Sequence, residues 1–150
     1  MKKYLYLSMA AIAALLSFAS CGGDDDDDEI VPNDQDNPEV IIDKAKFTET
    51  ANQMVLSYTI NVLREKVPVK HTATFQGDEC SSFITEYTYS KESYAKEAYE
   101  DAMENKEDGD ETVYSYKGKV YTEDETAYYK GQSKNEVRQY LKFLEAAVNK

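Results

Sequence analysis

The sequence predicts an α+β fold: one antiparallel sheet of about five strands with two helices packed on one of its faces, in the order β-β-β-α-β-β-α. Three observations predict it. Residues 54–62 alternate apolar and polar side chains at the two-residue period of a half-buried strand. Residues 94–103 and 137–148 carry apolar side chains at three- and four-residue spacing, the stripe of an amphipathic helix. Gly77, Gly118 and Gly131 punctuate the runs between them, where the chain must turn.

In the first strand Met54, Leu56, Tyr58, Ile60 and Val62 share a face, and the β-branched content suits a pleated surface. Arg64-Glu65-Lys66 breaks the pattern as a turn. Val67, Val69, Ala73 and Phe75 restore it, with Lys70, Thr72, Thr74 and Gln76 on the other side. Gly77-Asp78 turns the chain into a third strand, whose Phe83, Thr85, Tyr87 and Tyr89 point one way. Ser90 is placed to cap the first helix. Tyr94, Ala95, Ala98, Tyr99, Ala102 and Met103 form its apolar stripe, which dissolves in Asn105 to Asp110. Thr112–Lys117 and Lys119–Thr122 flank Gly118 as a tight hairpin. The second of these strands is expected to resume over Thr126–Lys130, after Glu123-Asp124-Glu125, which reads as an exposed bend. Ser133 and Glu136 have the spacing of a capping box. Val137, Tyr140, Leu141, Leu144, Ala147 and Val148 give the last helix its buried stripe. The two halves read as weak ββα repeats. A sheet built this way buries one face and leaves the other wet.

Ahead of this domain, expected over residues 41–150, the composition changes twice. Residues 1–20 have the layout of a signal peptide: Lys2 and Lys3, an apolar run from Tyr4 to Phe18 too short for a comfortable membrane span, then small residues. Residues 21–40 are acidic, with Asp24 to Asp28 in a row, Glu29, Pro32 and Pro38, the composition of a disordered tether. The segment Phe18-Ala19-Ser20-Cys21-Gly22 resembles the lipobox of bacterial lipoproteins. That resemblance implies cleavage before Cys21, lipidation of its thiol, and the membrane as a partner through the lipid. Several acyl chains anchor durably where one is marginal. The acidic run behind Cys21 resembles the export tag of surface lipoproteins in the Bacteroidetes. It implies an outer-membrane, surface-exposed location, with the periplasmic face as the alternative. Gly22 departs from the Asp of the inner-membrane retention signal of enterobacteria.

The chain has 29 acidic and 17 basic residues and a net charge of −12, and loss of Lys2 and Lys3 lowers it further. Such a balance argues against nucleic acid as a partner, which basic patches bind. It also argues against electrostatic docking on anionic lipid. Cys80 is the only thiol besides Cys21, so the mature chain has no pair for a disulfide. Its neighbours Asp78 and Glu79 oppose thiolate formation, so Cys80 reads as a buried, idle thiol. His71, the only histidine, has no Cys, Ser or carboxylate at a motif spacing and reads as a partly exposed structural residue. Asp108-Gly109-Asp110-Glu111 looks faintly like a calcium loop. An EF-hand needs ligands at alternating positions over about twelve residues, closed by a Glu, so the segment reads as a solvated turn. No catalytic residue, metal ligand or cofactor site is expected.

Thirteen tyrosines without a Trp are the compositional oddity. Surface tyrosines supply contacts to sugars and proteins at low entropic cost. Tyr114, Tyr116, Tyr128 and Tyr129 are the candidate ligand-binding set. The competing reading places most tyrosines in a core poor in Leu and Phe. The expected function is a lipid-anchored, non-enzymatic binding or interaction module at the outer membrane, with an envelope protein or a polysaccharide as partner. A glycan-binding accessory lipoprotein would show exposed tyrosines on the open sheet face. An inhibitor or structural partner of another envelope protein would show an apolar patch or an unpaired sheet edge. An enzyme would bring two carboxylates together in a pocket.

Overall fold

The computed structural model describes residues 43–62 and 65–150. The expected signal peptide, Cys21 and the acidic tether lie outside the described residues, as does Arg64. The described chain runs β1 (Asp43–Glu49), β2 (Gln53–Val62), β3 (Glu65–Gln76), β4 (Glu79–Thr88), α1 (Glu92–Glu104), β5 (Val113–Lys117), β6 (Val120–Asp124), α2 (Thr126–Tyr129) and α3 (Lys134–Val148). It is a mixed α+β arrangement of one antiparallel sheet of six strands and three helices, with strand order β1-β2-β3-β4-β6-β5.

Strand alternation sorts the side chains into two faces. Register places Phe47, Leu56, His71, Thr85, Glu123 and Tyr114 in one row across all six strands, on one face. The next row, Lys46, Ser57, Lys70, Glu86, Thr122 and Ser115, stands on the other. The first face is the one the helices cover. Phe83 stacks on Tyr129 of α2 with ring centroids 3.9 Å apart and meets Tyr140 of α3 at 6.0 Å. Tyr99 of α1 meets Tyr116 of β5 at 5.3 Å. Met54, Leu56, Val67, Val69, Phe83, Val137, Leu141 and Leu144 are buried in this layer. Each such side chain contributes roughly 1.5–3 kcal/mol relative to exposure.

The chain reaches this packing by exchange. The β3-β4 and β5-β6 hairpins meet along β4 and β6. Helix α1 follows β4 but packs on β5 and β6, whereas α3 follows β6 but packs on β1, β2 and β4. The first long helix therefore covers the β5-β6 hairpin that follows it, and the last helix returns to the β1-β2 end of the sheet. The two hairpins turn through Gly77 and Gly118 at φ of +63° and +56°, the left-handed backbone that two-residue hairpin loops require.

Five expectations need correction. Glu65 and Lys66, expected in a turn, open β3 and pair with Val62 and Asn61. The sheet has six strands because β1 pairs with β2. Only Ala45 and Phe47 of β1 face the core, too few to announce a strand by alternation. Thr126–Tyr129 is a short helix and not a strand: Asp124 Oδ1 accepts from the Thr126 N–H at 3.0 Å and turns the chain. Lys91, not Ser90, stands at the N-cap position of α1 and makes no side-chain cap, while the Ser90 N–H donates to the Glu65 carboxylate. His71 is buried on the covered face and not partly exposed. The capping box of α3 is present: Ser133 Oγ accepts from Glu136 N–H, and Glu136 Oε2 accepts from Ser133 N–H at 2.8 Å.

Candidate functional site

The covered face holds a chain of buried polar groups. Pairing sets His71 beside Thr85 on β4, and Tyr58 reaches it from β2. His71 Nδ1 lies 2.8 Å from Thr85 Oγ1 and Nε2 lies 3.0 Å from the Tyr58 hydroxyl. Thr85 Oγ1 donates to Glu125 Oε2 at 3.2 Å. A Thr hydroxyl has one hydrogen, so while Glu125 is ionised and accepts it, His71 Nδ1–H donates to Thr85 and Nε2 accepts from Tyr58; a protonated Glu125 donates instead and reverses the line. Burial holds His71 down at about 4, so the imidazole is neutral at pH 7 as this chain demands. Burial, then the charge of Glu123, pushes the Glu125 carboxyl up to about 7.

Glu123 extends the network across β6. It accepts from the Tyr121 hydroxyl at 2.9 Å and the Tyr87 hydroxyl at 3.4 Å. Burial raises its pKa, and the two phenols lower it by a smaller amount. Asp110, in the connection between α1 and β5, accepts from Tyr114 at 2.7 Å, Tyr128 at 2.8 Å and the Thr112 N–H at 2.9 Å. Partial burial pushes the Asp110 carboxyl up, but these hydrogen bonds outweigh it and hold it at about 2. The segment read as a solvated turn is therefore tied to tyrosines through Asp110. Among the described residues no three His, Cys, Asp or Glu side chains come together in a group that could hold a metal ion.

The candidate tyrosines are brought to the covered face. Tyr129 is buried on Phe83, and Tyr116 is half-buried against Tyr99. Tyr114 and Tyr128 are half-buried with their hydroxyls on Asp110. Tyr114 and Tyr116 are on β5 and Tyr128 and Tyr129 on α2. The four do not line the open face of the sheet. Glu123 and Glu125, read as parts of an exposed bend, instead lie on the covered side, with Glu125 buried. The signal was in the sequence: Tyr121, Glu123 and Glu125 continue the two-residue period of β6, as His71 continues that of Val67, Val69, Ala73 and Phe75. Cys80 is buried, and burial raises its thiol pKa. Large apolar side chains are exposed at Tyr94 and Met103 on α1, Val113 on β5 and Phe143 on α3.

The open face carries a groove of about 490 Å³. Its walls include Lys44 and Lys46 from β1, Ser57 from β2, Lys70 from β3 and Glu86 and Thr88 from β4. Three of its lining residues are lysines, against a single carboxylate. Lys70 pairs with Glu86 at 3.3 Å, with both side chains well exposed. The edge strand β1 is fixed from the covered side. Asn149 Oδ1 accepts from the Ala45 N–H at 2.7 Å and Glu145 Oε1 from the Phe47 N–H at 3.2 Å, so α3 closes an edge that would otherwise recruit another strand. The carboxylates of Glu123 and Glu125 belong to the opposite face from this groove, so a ligand in it does not reach them. No family model matches the sequence, and no curated protein or solved structure matches it.

Proposed function

We propose that the protein is a lipid-anchored, non-enzymatic binding or interaction module of the outer membrane, presented at the cell surface and binding through the open face of its sheet. The address is read from the lipobox at Cys21 and the acidic run that follows it. One geometric observation supports the binding surface. The three helices pack on one face of a six-stranded sheet, and the groove between Lys44, Lys46, Lys70 and Thr88 lies on the other. Its size is that of sites that take small ligands or short polymer segments.

The buried carboxylates support no catalytic alternative of equal weight. Glu123 accepts from two phenols and Glu125 from the Thr85 hydroxyl, and a protein interior keeps such groups because they are paired. The test is a pull-down from native outer membranes with the full-length lipidated chain. Cys21→Ala is expected to leave the membrane fraction, and a Ser57→Leu variant, which fills the groove without adding charge, is expected to lose the retained partner. A Cys21→Ala chain still in the membrane would refute the anchor. A partner retained unchanged by Ser57→Leu would refute the open face.

A further inference from the structure

We infer that the groove on the open face binds an acidic glycan, a chain of sugars bearing carboxylate or sulfate groups, and recognises it by charge and hydroxyl pairing without aromatic stacking. The inference rests on the binding-module reading and names its ligand.

Cations come first. In a chain with 29 acidic and 17 basic residues, an unneutralised cluster of lysines is unexpected. Lys44 and Lys46 have no carboxylate partner among the described residues, and both are exposed. Lys70 has only the exposed contact with Glu86, a kind of pair worth roughly 0–1 kcal/mol, so a ligand anion displaces it at little cost.

Spacing comes next. Lys46, Ser57 and Lys70 are successive members of one cross-strand row. Two strand spacings separate the lysines, roughly 10 Å. An extended polysaccharide with an acid on alternate sugars repeats its charge over a comparable length. The row places a hydroxyl, Ser57, between the two ammonium groups, and Thr59 and Thr88 also line the groove. Hydroxyls at these positions pair with the sugar's own hydroxyls.

Glu86 bears on the ligand class. Once Lys70 turns to the ligand, the exposed Glu86 carboxylate faces it as an acceptor. A sugar supplies hydroxyl donors beside its acid groups. A polyphosphate or an oligo-aspartate supplies mainly acceptors and meets Glu86 as a like charge. Neutral sugars are disfavoured for a different reason. The only aromatic residue lining the groove is Tyr58, and its hydroxyl is committed to His71 on the covered side.

The experiment measures binding of the purified full-length protein to fluorescently labelled hyaluronan oligosaccharides, which bear a carboxylate on alternate sugars, with chondroitin sulfate as a second acidic probe and dextran and oligo-aspartate as controls. Expected is saturable binding of both acidic glycans that weakens as salt rises from about 0.05 to 0.5 M. Lys46→Glu and Lys70→Gln should each weaken binding about tenfold or more, and Lys46→Glu should leave the urea midpoint unchanged because its side chain is exposed and unpaired among the described residues. Binding of neither acidic glycan, equal binding of dextran or oligo-aspartate, or indifference to Lys46→Glu would each overturn the inference. The pull-down separates the two levels. An envelope protein retained by the wild type and lost with Lys46→Glu, alongside no acidic-glycan binding, sinks the glycan and leaves the binding module. A wild type that retains no partner and binds no glycan sinks both.

Discussion

Replacing Glu125 with Gln should change how stability depends on pH, and the size of the change follows from the buried network. Glu125 titrates at about 7 in the folded protein against an ordinary value of 4.5, because burial and then the charge of Glu123 oppose its ionisation. As pH rises from 4.5 the unfolded chain ionises this group before the folded chain does, so folding is progressively penalised until about pH 7. By linkage the penalty is about 3 kcal/mol at pH 8 and about 1 kcal/mol at pH 5. Gln keeps an oxygen to accept the Thr85 hydroxyl but carries no charge. The stability of Glu125→Gln relative to the wild type should therefore fall by about 2–3 kcal/mol on going from pH 8 to pH 5.

His71 supplies the opposite slope. It titrates at about 4 against an ordinary 6.5, because burial disfavours the imidazolium. As pH falls below 6.5 the unfolded chain gains a proton that the folded chain refuses, and about 2 kcal/mol of stability is lost between pH 8 and pH 5. The wild type thus holds two opposing slopes, joined through the hydroxyl of Thr85. His71→Gln should gain stability relative to wild type on acidification, while Glu125→Gln loses it. Asp110 and Glu49 have lowered pKa values, so their contributions vanish only below the ordinary carboxylate range, outside this window. Urea unfolding followed by far-ultraviolet circular dichroism at the two pH values measures all three chains. Parallel pH profiles for wild type, Glu125→Gln and His71→Gln would refute the reasoning.

Three further outcomes are expected. Phe83→Ala should cost about 3–5 kcal/mol in urea unfolding, since the ring is fully buried and stacked on Tyr129. Cys80 should resist alkylation in the native protein and react once urea exposes β4, because it is buried and its thiol pKa is raised; native labelling at the unfolded rate would show that β4 opens. Asn149→Ala should cost about 1 kcal/mol and speed hydrogen exchange of the Ala45 amide, whose acceptor it removes; an unchanged Ala45 exchange rate would show that α3 does not close the edge of β1.

The architecture was legible wherever burial on one face forces a period. Residues 54–62 and the stripe from Val137 to Val148 announced β2 and α3, and Ser133 with Glu136 announced the capping box. What escaped was set by contacts distant in sequence. β1 has two inward apolar residues and owes its place to pairing with β2 and to Asn149 and Glu145, about a hundred positions away. The turn into α2 depends on Asp124 binding the Thr126 N–H and on Thr126 Oγ1 accepting from the Phe83 N–H at 3.1 Å. The groove was invisible for the same reason. Lys44 and Lys46 become neighbours of Lys70 only when three strands register.

The tyrosine content acquires a physical reason once the two faces are separated. A carboxylate withdrawn from water needs donors, and Phe or Leu in the same volume supplies none. Tyr114 and Tyr128 serve Asp110, Tyr87 and Tyr121 serve Glu123, and Tyr58 completes the line through His71 and Thr85 to Glu125. Each ring fills the layer between sheet and helices while its hydroxyl satisfies an acid or its relay. The rings that would make an aromatic platform for sugars are thereby spent inside, on the side that the helices cover. What is left for recognition on the other side is the chemistry of lysine, serine, threonine and a single glutamate. Such a surface selects its ligand by the placement of charge, and the open-face row that begins at Lys46 sets that placement.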